Sequence, residues 1–223
     1  MDLQKNRDQV LKDVGTAAIE AHRTPEDINV IAVTKYVDAG IAGALMETGL
    51  THIAENRVDK FLDKYESLKN KDLTWHLIGS LQRRKVKSVI NLVDYFHALD
   101  SVSLAEEIQK RAKHPIKCFL QVNISEEESK HGFTISELPQ VIEELAQLNQ
   151  IQLVGLMTMA PLGASEGTIR DIFKKANKLR LKLESENRKN MPFTELSMGM
   201  SGDYKIAIQE GATFVRIGSS FFK

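Results

Sequence analysis

The stretch INVIAVTKY, residues 28–36, decides between two α/β architectures that the rest of the chain would allow. It opens with a mainly apolar run of strand length, and the run closes on Thr34 and Lys35 without a cluster of glycines. An open, doubly wound sheet usually carries its nucleotide site on a glycine-rich loop after the first strand. The lack of that loop favours a closed barrel, with the open sheet as the alternative.

Outward from this stretch, apolar runs of strand length alternate with segments of helical spacing, which is typical of parallel βα units. Helices are predicted at 3–21 and 39–48, and Gly49 and Gly211 are predicted helix ends. The other predicted strands cover residues 52–56, 75–79, 95–100, 116–123, 153–159, 195–200 and 214–218. Eight strands close a (β/α)8 barrel. We therefore predict a single α/β domain over residues 1–223, a TIM barrel with an additional N-terminal helix.

Composition excludes several other classes of protein. The chain has 30 basic and 30 acidic residues, so it lacks the basic footprint of nucleic-acid-binding proteins. No stretch reaches the roughly 18 apolar residues of a membrane span, and the N-terminus has no signal-peptide core, so we expect a cytoplasmic protein. The single cysteine, Cys118, lies in an apolar run and is expected to be buried. The six histidines show no metal-ligand spacing, and no metal site is predicted.

Polar residues end several predicted strands, and in a barrel these ends converge on one mouth. Lys35 follows an apolar strand, where partial desolvation would favour the neutral amine that attacks aldehydes; a lysine that merely extends to solvent is the simpler alternative. The turns around Ser201 and Gly218 follow the last two strands, where barrels bind phosphate. Each turn alone is common in structural loops, but the two together favour a phosphate site.

Seven segments, in order along nearly the whole chain, resemble the motifs of one family. They are AVTK (32–35), HIAENRV (52–58), WHLIGSLQRRK (75–85), QVNISEEESKHGF (121–133), GLMTMAP (155–161), ELSMGMSGDY (195–204) and VRIGSSFF (215–222). On these motifs the chain is similar to the pyridoxal phosphate homeostasis proteins, single-domain relatives of the alanine racemase N-terminal barrel. The resemblance implies pyridoxal 5'-phosphate (PLP) as the cofactor.

The resemblance also implies a role for each matching residue. Lys35 would hold PLP as a Schiff base, and Asn56 would lie near the pyridine ring. Arg216 would face the pyridine nitrogen. The phosphate would be bound by Ser201, Gly218 and Ser219, and the mouth would be lined by His76 and Met157.

The arginine that the resemblance places at the pyridine nitrogen affects the catalytic activity that we expect. An arginine at the ring nitrogen cannot accept a proton, so it disfavours the protonated ring that makes PLP a strong electron sink. The related two-domain racemases also use a base from a second domain, and this chain ends soon after its last predicted strand. We therefore expect a monomeric PLP-binding protein of vitamin B6 homeostasis, without substantial turnover, which stores, buffers or delivers the cofactor. Apo forms of PLP enzymes are its candidate partners.

Two alternatives stay open at this point. The first is an amino-acid racemase or related PLP enzyme that takes a base from its own mouth, such as Tyr36, His76 or Lys130. The second is a sugar-phosphate barrel in which Lys35 forms a Schiff base with a ketose. Only a bound PLP would make the protein yellow.

Overall fold

The computed structural model describes residues 1–125 and 131–223, and in them eight parallel strands form a closed barrel. The strands are β1 (Asn29–Val33), β2 (His52–Glu55), β3 (Thr74–Leu77), β4 (Tyr95–Leu99), β5 (Ile116–Gln121), β6 (Ile151–Met157), β7 (Glu195–Met200) and β8 (Phe214–Ile217). β1 closes the barrel on β8, with Ile31 opposite Arg216. The predicted (β/α)8 barrel is confirmed and the open sheet is wrong. β7 coincides with the predicted strand, and each of the others agrees to within two residues at either end.

The N-terminal helix is part of the outer ring. The helices are α1 (Leu3–Glu20), α2 (Ala39–Glu47), α3 (Val58–Leu68), α4 (Arg83–Val89), α5 (Val102–Arg111), α6 (Leu138–Leu145), α7 (Glu166–Ser185) and α8 (Tyr204–Gln209). β8 is followed by a 3-10 turn, Ser219–Phe221, where a regular barrel would have an α-helix. α1 packs against α8, α2 and this turn. The helix predicted as an addition therefore occupies the place that the helix after β8 would fill.

Local sequence signals set the ends of the helices nearest the site. The Asp38 carboxylate precedes α2 and accepts a hydrogen bond from the Ile41 N–H (2.8 Å), which is an N-cap contact. Gly49 and Gly211 follow α2 and α8, each with a φ of +103°. That region of backbone space suits glycine at a helix end. Both predicted helix ends are confirmed.

Three further expectations concern the single cysteine, membrane-spanning helices and metal sites. Cys118 on β5 is buried, and burial raises the pKa of its thiol. No helix among the described residues is long and apolar enough to cross a membrane. The same residues contain no group of three or more side chains that could hold a metal ion. Lys130 and the acidic run at 126–128 lie outside the described residues.

Candidate functional site

Lys35 lies in the turn that follows β1, at the carboxyl end of the barrel. A hydrogen bond from the Val37 N–H to the Thr34 carbonyl (3.1 Å) closes this turn and carries Lys35 beyond the strand. The side chain is exposed, with Nζ 4.8 Å from the centroid of the Tyr36 ring. The partial desolvation expected for this amine is therefore wrong for the protein alone. The amine is open to a ligand that arrives from solvent.

Asn56 lies on the neighbouring strand end. β1 and β2 pair with Val33 opposite Ala54, and Lys35 and Asn56 each follow this pair by two residues, so both lie at the carboxyl end of the barrel. Asn56 is half-buried. A Cβ at Gly79 would lie 2.0 Å from the Asn56 carbonyl oxygen, so only a glycine lets the loop after β3 approach this backbone. The WHLIG segment thus supports the position of Asn56.

A buried ion pair lies behind the turn that carries Lys35, and the sequence reasoning missed it. Lys64 of α3 forms a salt bridge with Glu55 of β2, and their side chains are 1% and 0% exposed. Lys64 Nζ also donates to the Thr34 carbonyl (2.7 Å), and the Thr34 hydroxyl donates to Glu55 Oε1 (2.7 Å). These bonds hold the residue that immediately precedes Lys35. An inward-facing lysine on α3 amid apolar positions at helical spacing is the only signal that could have suggested it.

The two predicted phosphate turns meet in space. The Ser201 hydroxyl accepts a hydrogen bond from the Gly218 N–H (3.2 Å), which joins the turn after β7 to the end of β8. A Cβ at Gly218 would lie 3.2 Å from the Val33 carbonyl oxygen, so this turn also approaches the end of β1 closely. Ser219 is exposed and begins the 3-10 turn. The structure therefore brings Ser201, Gly218 and Ser219 to the barrel end from which Lys35 projects.

Arg216 lies on β8 two residues before Gly218, and its side chain is buried. It donates to the Ser197 hydroxyl (2.6 Å) and to the Thr158 carbonyl (3.1 Å). Burial lowers the pKa of Arg216 to about 10, although the nearby Asp203 carboxylate acts in the opposite direction. The guanidinium is therefore charged at neutral pH, and it can only donate hydrogen bonds.

His76 and Met157 do not share one environment. Met157 ends β6 opposite Ser197 and is 2% exposed, so a contact between Met157 and a ligand at the mouth stays a prediction. His76 is 0% exposed and is hydrogen-bonded on both sides, to His52 and to His97. The expectation that His76 lines the mouth is wrong, because its position on β3 turns the ring into the barrel interior. A residue without accessible surface does not contact a ligand at the mouth.

The residues at this end of the barrel fit three polar groups of PLP, which are its aldehyde, its phosphate and its pyridine nitrogen. Lys35 offers an exposed primary amine to the aldehyde. The turn at Ser201 and Gly218 offers hydroxyls and backbone N–H groups, and a Cβ at Gly202 would meet no atom within 4 Å, so the turn faces open space. Arg216 offers a buried, positively charged guanidinium to the pyridine nitrogen. Contacts between these residues and PLP stay predictions.

Comparisons with known proteins agree with this geometry. The family model for the alanine racemase N-terminal domain matches residues 17–223. The pyridoxal phosphate homeostasis protein of Aquifex aeolicus is 39% identical over 217 residues, covering 96% of this chain and 94% of that protein. Its counterpart in Synechocystis is 35% identical over 202 residues, covering 89% and 92% of the two chains. PipY of Synechococcus elongatus, solved with PLP bound, is 31% identical, covers 100% of both chains and superposes with a TM-score of 0.85. The chain therefore belongs to the alanine racemase N-terminal domain family, and within it to the pyridoxal phosphate homeostasis proteins.

Proposed function

We propose that this protein binds PLP reversibly through Lys35 and serves vitamin B6 homeostasis in the cytoplasm by storing, buffering or delivering the cofactor. The observation that carries the proposal is the placement of an exposed lysine amine, a hydroxyl-rich turn and a buried arginine at one end of the barrel. The PLP bound to PipY, a relative that covers the full length of this chain, supports it further. PLP supplies an aldehyde that forms a Schiff base with a lysine and a ring that accepts electrons.

The proposed roles follow from position. The Lys35 amine attacks the aldehyde carbon, a C=N bond forms and water leaves; the reverse reaction needs only water, which reaches this exposed amine. Ser201, Gly218 and Ser219 bind the phosphate, because their hydroxyls and N–H groups suit an anion. Asn56 lies at the ring because β2 is the strand next to β1 and Asn56 follows it at the same end of the barrel as Lys35.

Retention of the cofactor without substantial turnover is also part of the proposal. Arg216 is charged and only donates, so it stabilises an unprotonated ring nitrogen, and an unprotonated ring is a weak electron sink. Of the three bases considered for a racemase, the structure describes His76 and Tyr36, and His76 has no accessible surface. Tyr36 is 80% exposed, without a partner that would activate it among the hydrogen bonds of the described residues. The open position of Lys35 suits release to apo forms of PLP enzymes by a monomer.

Lys35→Ala tests the binding site, and the chain offers a matched control. Lys117 is also exposed, with Nζ 4.8 Å from the centroid of the Tyr95 ring, but it lies near the amino end of β5. Each variant is titrated with PLP, followed by visible absorbance, reduced with borohydride and mapped by peptide mass. We expect a yellow protein with the adduct on Lys35 in the wild type and in Lys117→Ala, and neither in Lys35→Ala. An adduct spread over surface lysines in every variant would overturn the PLP assignment and favour the sugar-phosphate barrel.

A second experiment separates the binding protein from the racemase. The PLP-loaded protein is incubated with a pure L-amino acid, and both optical rotation and amino group are followed. We expect both to persist over the time in which an enzyme would exhaust the substrate. Loss of rotation at an enzymatic rate that Tyr36→Phe abolishes would establish the racemase instead.

A further inference from the structure

Five polar side chains form a continuous hydrogen-bonded chain through the barrel interior. Arg216 Nη1 lies 2.6 Å from Ser197 Oγ, and Ser197 Oγ lies 2.9 Å from His97 Nδ1. His97 Nε2 lies 2.9 Å from His76 Nδ1, and His76 Nε2 lies 2.9 Å from His52 Nδ1. His52 opens β2, so the chain, here called the histidine relay (His52, His76, His97 and Ser197), runs from the amino end of the barrel to Arg216. Of these five side chains the proposed function uses only Arg216.

Hydrogen-bond chemistry gives the relay one direction. Arg216 can only donate, so Ser197 Oγ accepts from it. Within residues 1–125 and 131–223, the only other partner of the Ser197 hydroxyl is His97, and the hydroxyl is buried, so its hydrogen has an acceptor only if it is donated to His97 Nδ1. A neutral histidine that accepts at Nδ1 carries its hydrogen on Nε2.

The tautomer of His97 determines the tautomers of the next two rings. His97 donates from Nε2 to His76 Nδ1, and His76 then donates from Nε2 to His52 Nδ1. Every hydrogen therefore points away from Arg216, and all three rings have the Nε2–H tautomer. The outer ring, His52, is partly exposed at the other end of the barrel.

The surroundings keep the relay neutral and fixed. Phe119 stacks on His97 with ring centroids 4.3 Å apart, and Tyr95 stacks on His76 at 5.0 Å. Burial lowers the pKa of His76 and His97 well below the usual value, and the neighbouring ring acts in the same direction in each case. The charged groups that face the relay from other elements are Asp94 beside His52 and Asp203 beside Arg216.

We propose that His97, His76 and His52 are positioning residues, which hold the Ser197 hydroxyl as a fixed acceptor and so orient the Arg216 guanidinium toward the ring nitrogen of bound PLP. The inference rests on the proposed function for the identity of the ligand. Its physical basis is the Ser197 hydroxyl, because a hydroxyl locked by donation to His97 presents a lone pair to Arg216. Without His97 that hydroxyl can rotate, and among the described residues Arg216 keeps only the Thr158 carbonyl as a fixed partner.

The first test needs no cofactor. The full-length protein, labelled with 15N-histidine, is examined by NMR at neutral pH, and single substitutions assign each ring. We expect His76 and His97 to be neutral Nε2–H tautomers whose Nδ1 accepts a hydrogen bond. An Nδ1–H tautomer or an imidazolium at His97 would overturn the relay, whether or not the protein binds PLP.

The second test uses the PLP-loaded protein. His97→Leu removes the acceptor of the Ser197 hydroxyl, and His97→Asn returns an oxygen near the Nδ1 position. Phe119→Leu alters the ring stacked on His97 but removes none of the hydrogen-bonding groups of the relay. We expect His97→Leu to weaken PLP binding by roughly tenfold, the loss typical of a hydrogen bond to a charged group, and to shift the visible absorbance maximum. His97→Asn should restore both to near the wild-type values, and Phe119→Leu should leave the maximum unchanged.

Two outcomes would refute the positioning role. The first is an equal spectral shift in His97→Leu and Phe119→Leu, which would mean that packing alone matters. The second is an unshifted His97→Leu. If His97→Leu does not fold, Ser197→Ala removes the acceptor of Arg216 itself with a smaller change in volume, and its spectrum should shift in the same way. Failure of PLP binding in the wild type would instead refute the proposed function, while the NMR result would still stand.

Discussion

Lys64→Met should destabilise the protein strongly, although Lys64 lies on a helix and touches no ligand. The substitution leaves the Glu55 carboxylate buried with a single hydrogen bond, from the Thr34 hydroxyl (2.7 Å). Its other oxygen, Oε2, is buried and already has no hydrogen-bond partner in the described structure. Breaking a buried ion pair on one side costs about 3–5 kcal/mol of unfolding free energy. For a chain of this length that corresponds to a fall in Tm of roughly 6–20 °C.

Two further variants separate charge from packing. Glu55→Leu combined with Lys64→Met removes both charges, and we expect its unfolding free energy to lie within about 2 kcal/mol of the wild type, because apolar replacements of buried pairs are often neutral or stabilising. The Thr34 hydroxyl then keeps the Ala54 carbonyl as an acceptor (3.4 Å). Lys71→Met breaks the exposed pair with Glu47 (2.9 Å) and should cost less than about 1 kcal/mol.

The assay is urea unfolding followed by circular dichroism, with thermal melts as a second measure. We expect Lys64→Met alone to have the lowest unfolding free energy among these variants. A double variant as unstable as Lys64→Met would show that shape, and not an uncompensated charge, sets the cost. A loss below about 1 kcal/mol in Lys64→Met would refute the claim that this pair behaves as buried.

Two more predictions concern the barrel interior and the loop beside Asn56. The folded protein keeps His76 and His97 neutral because burial lowers the pKa of both, so the unfolded chain binds more protons once the pH falls below about 6.5. The unfolding free energy should then fall by up to about 1.4 kcal/mol per pH unit for each ring, and His97→Leu should remove the share of one ring from that slope in urea titrations at a series of pH values; an unaltered slope would contradict the assignment. Gly79→Ala places a Cβ 2.0 Å from the Asn56 carbonyl oxygen and should cost about 1–3 kcal/mol in the same assay, whereas Gly202→Ala meets no atom within 4 Å and should be nearly neutral; equal losses would refute the close approach.

The strands and their order in the barrel could be predicted because the spacing of apolar residues is a local property of the sequence. The stretch at 195–200 became β7 with both ends in place, and the absence of a glycine-rich loop after residue 33 correctly separated the closed barrel from the open sheet. Residues at the carboxyl ends of strands gather at one end of any barrel. For that reason Lys35, Ser201 and Gly218 could be placed at one site before their contacts were known.

What the sequence could not reveal depends on which residues the closed barrel turns inward and brings together. His76 and His97 are 21 positions apart, and Ser197 is 100 positions beyond His97, so no motif spacing marks them as one hydrogen-bonded chain. Curling the sheet into a barrel turns alternate residues of each strand toward a shared axis, and only then do these side chains meet.

Lys64, the buried partner of Glu55, likewise could not be identified from spacing in the sequence. Lys64 lies nine positions after Glu55, on a helix that has several charged residues. It is a buried cation only because α3 packs its inner face onto β2. The amino-acid sequence by itself therefore determined the elements, their order and the end of the barrel that holds the site. Tertiary structure alone decided which polar groups are removed from water and which partners they find there, because desolvation and hydrogen-bond geometry depend on contacts between residues that are distant in the chain.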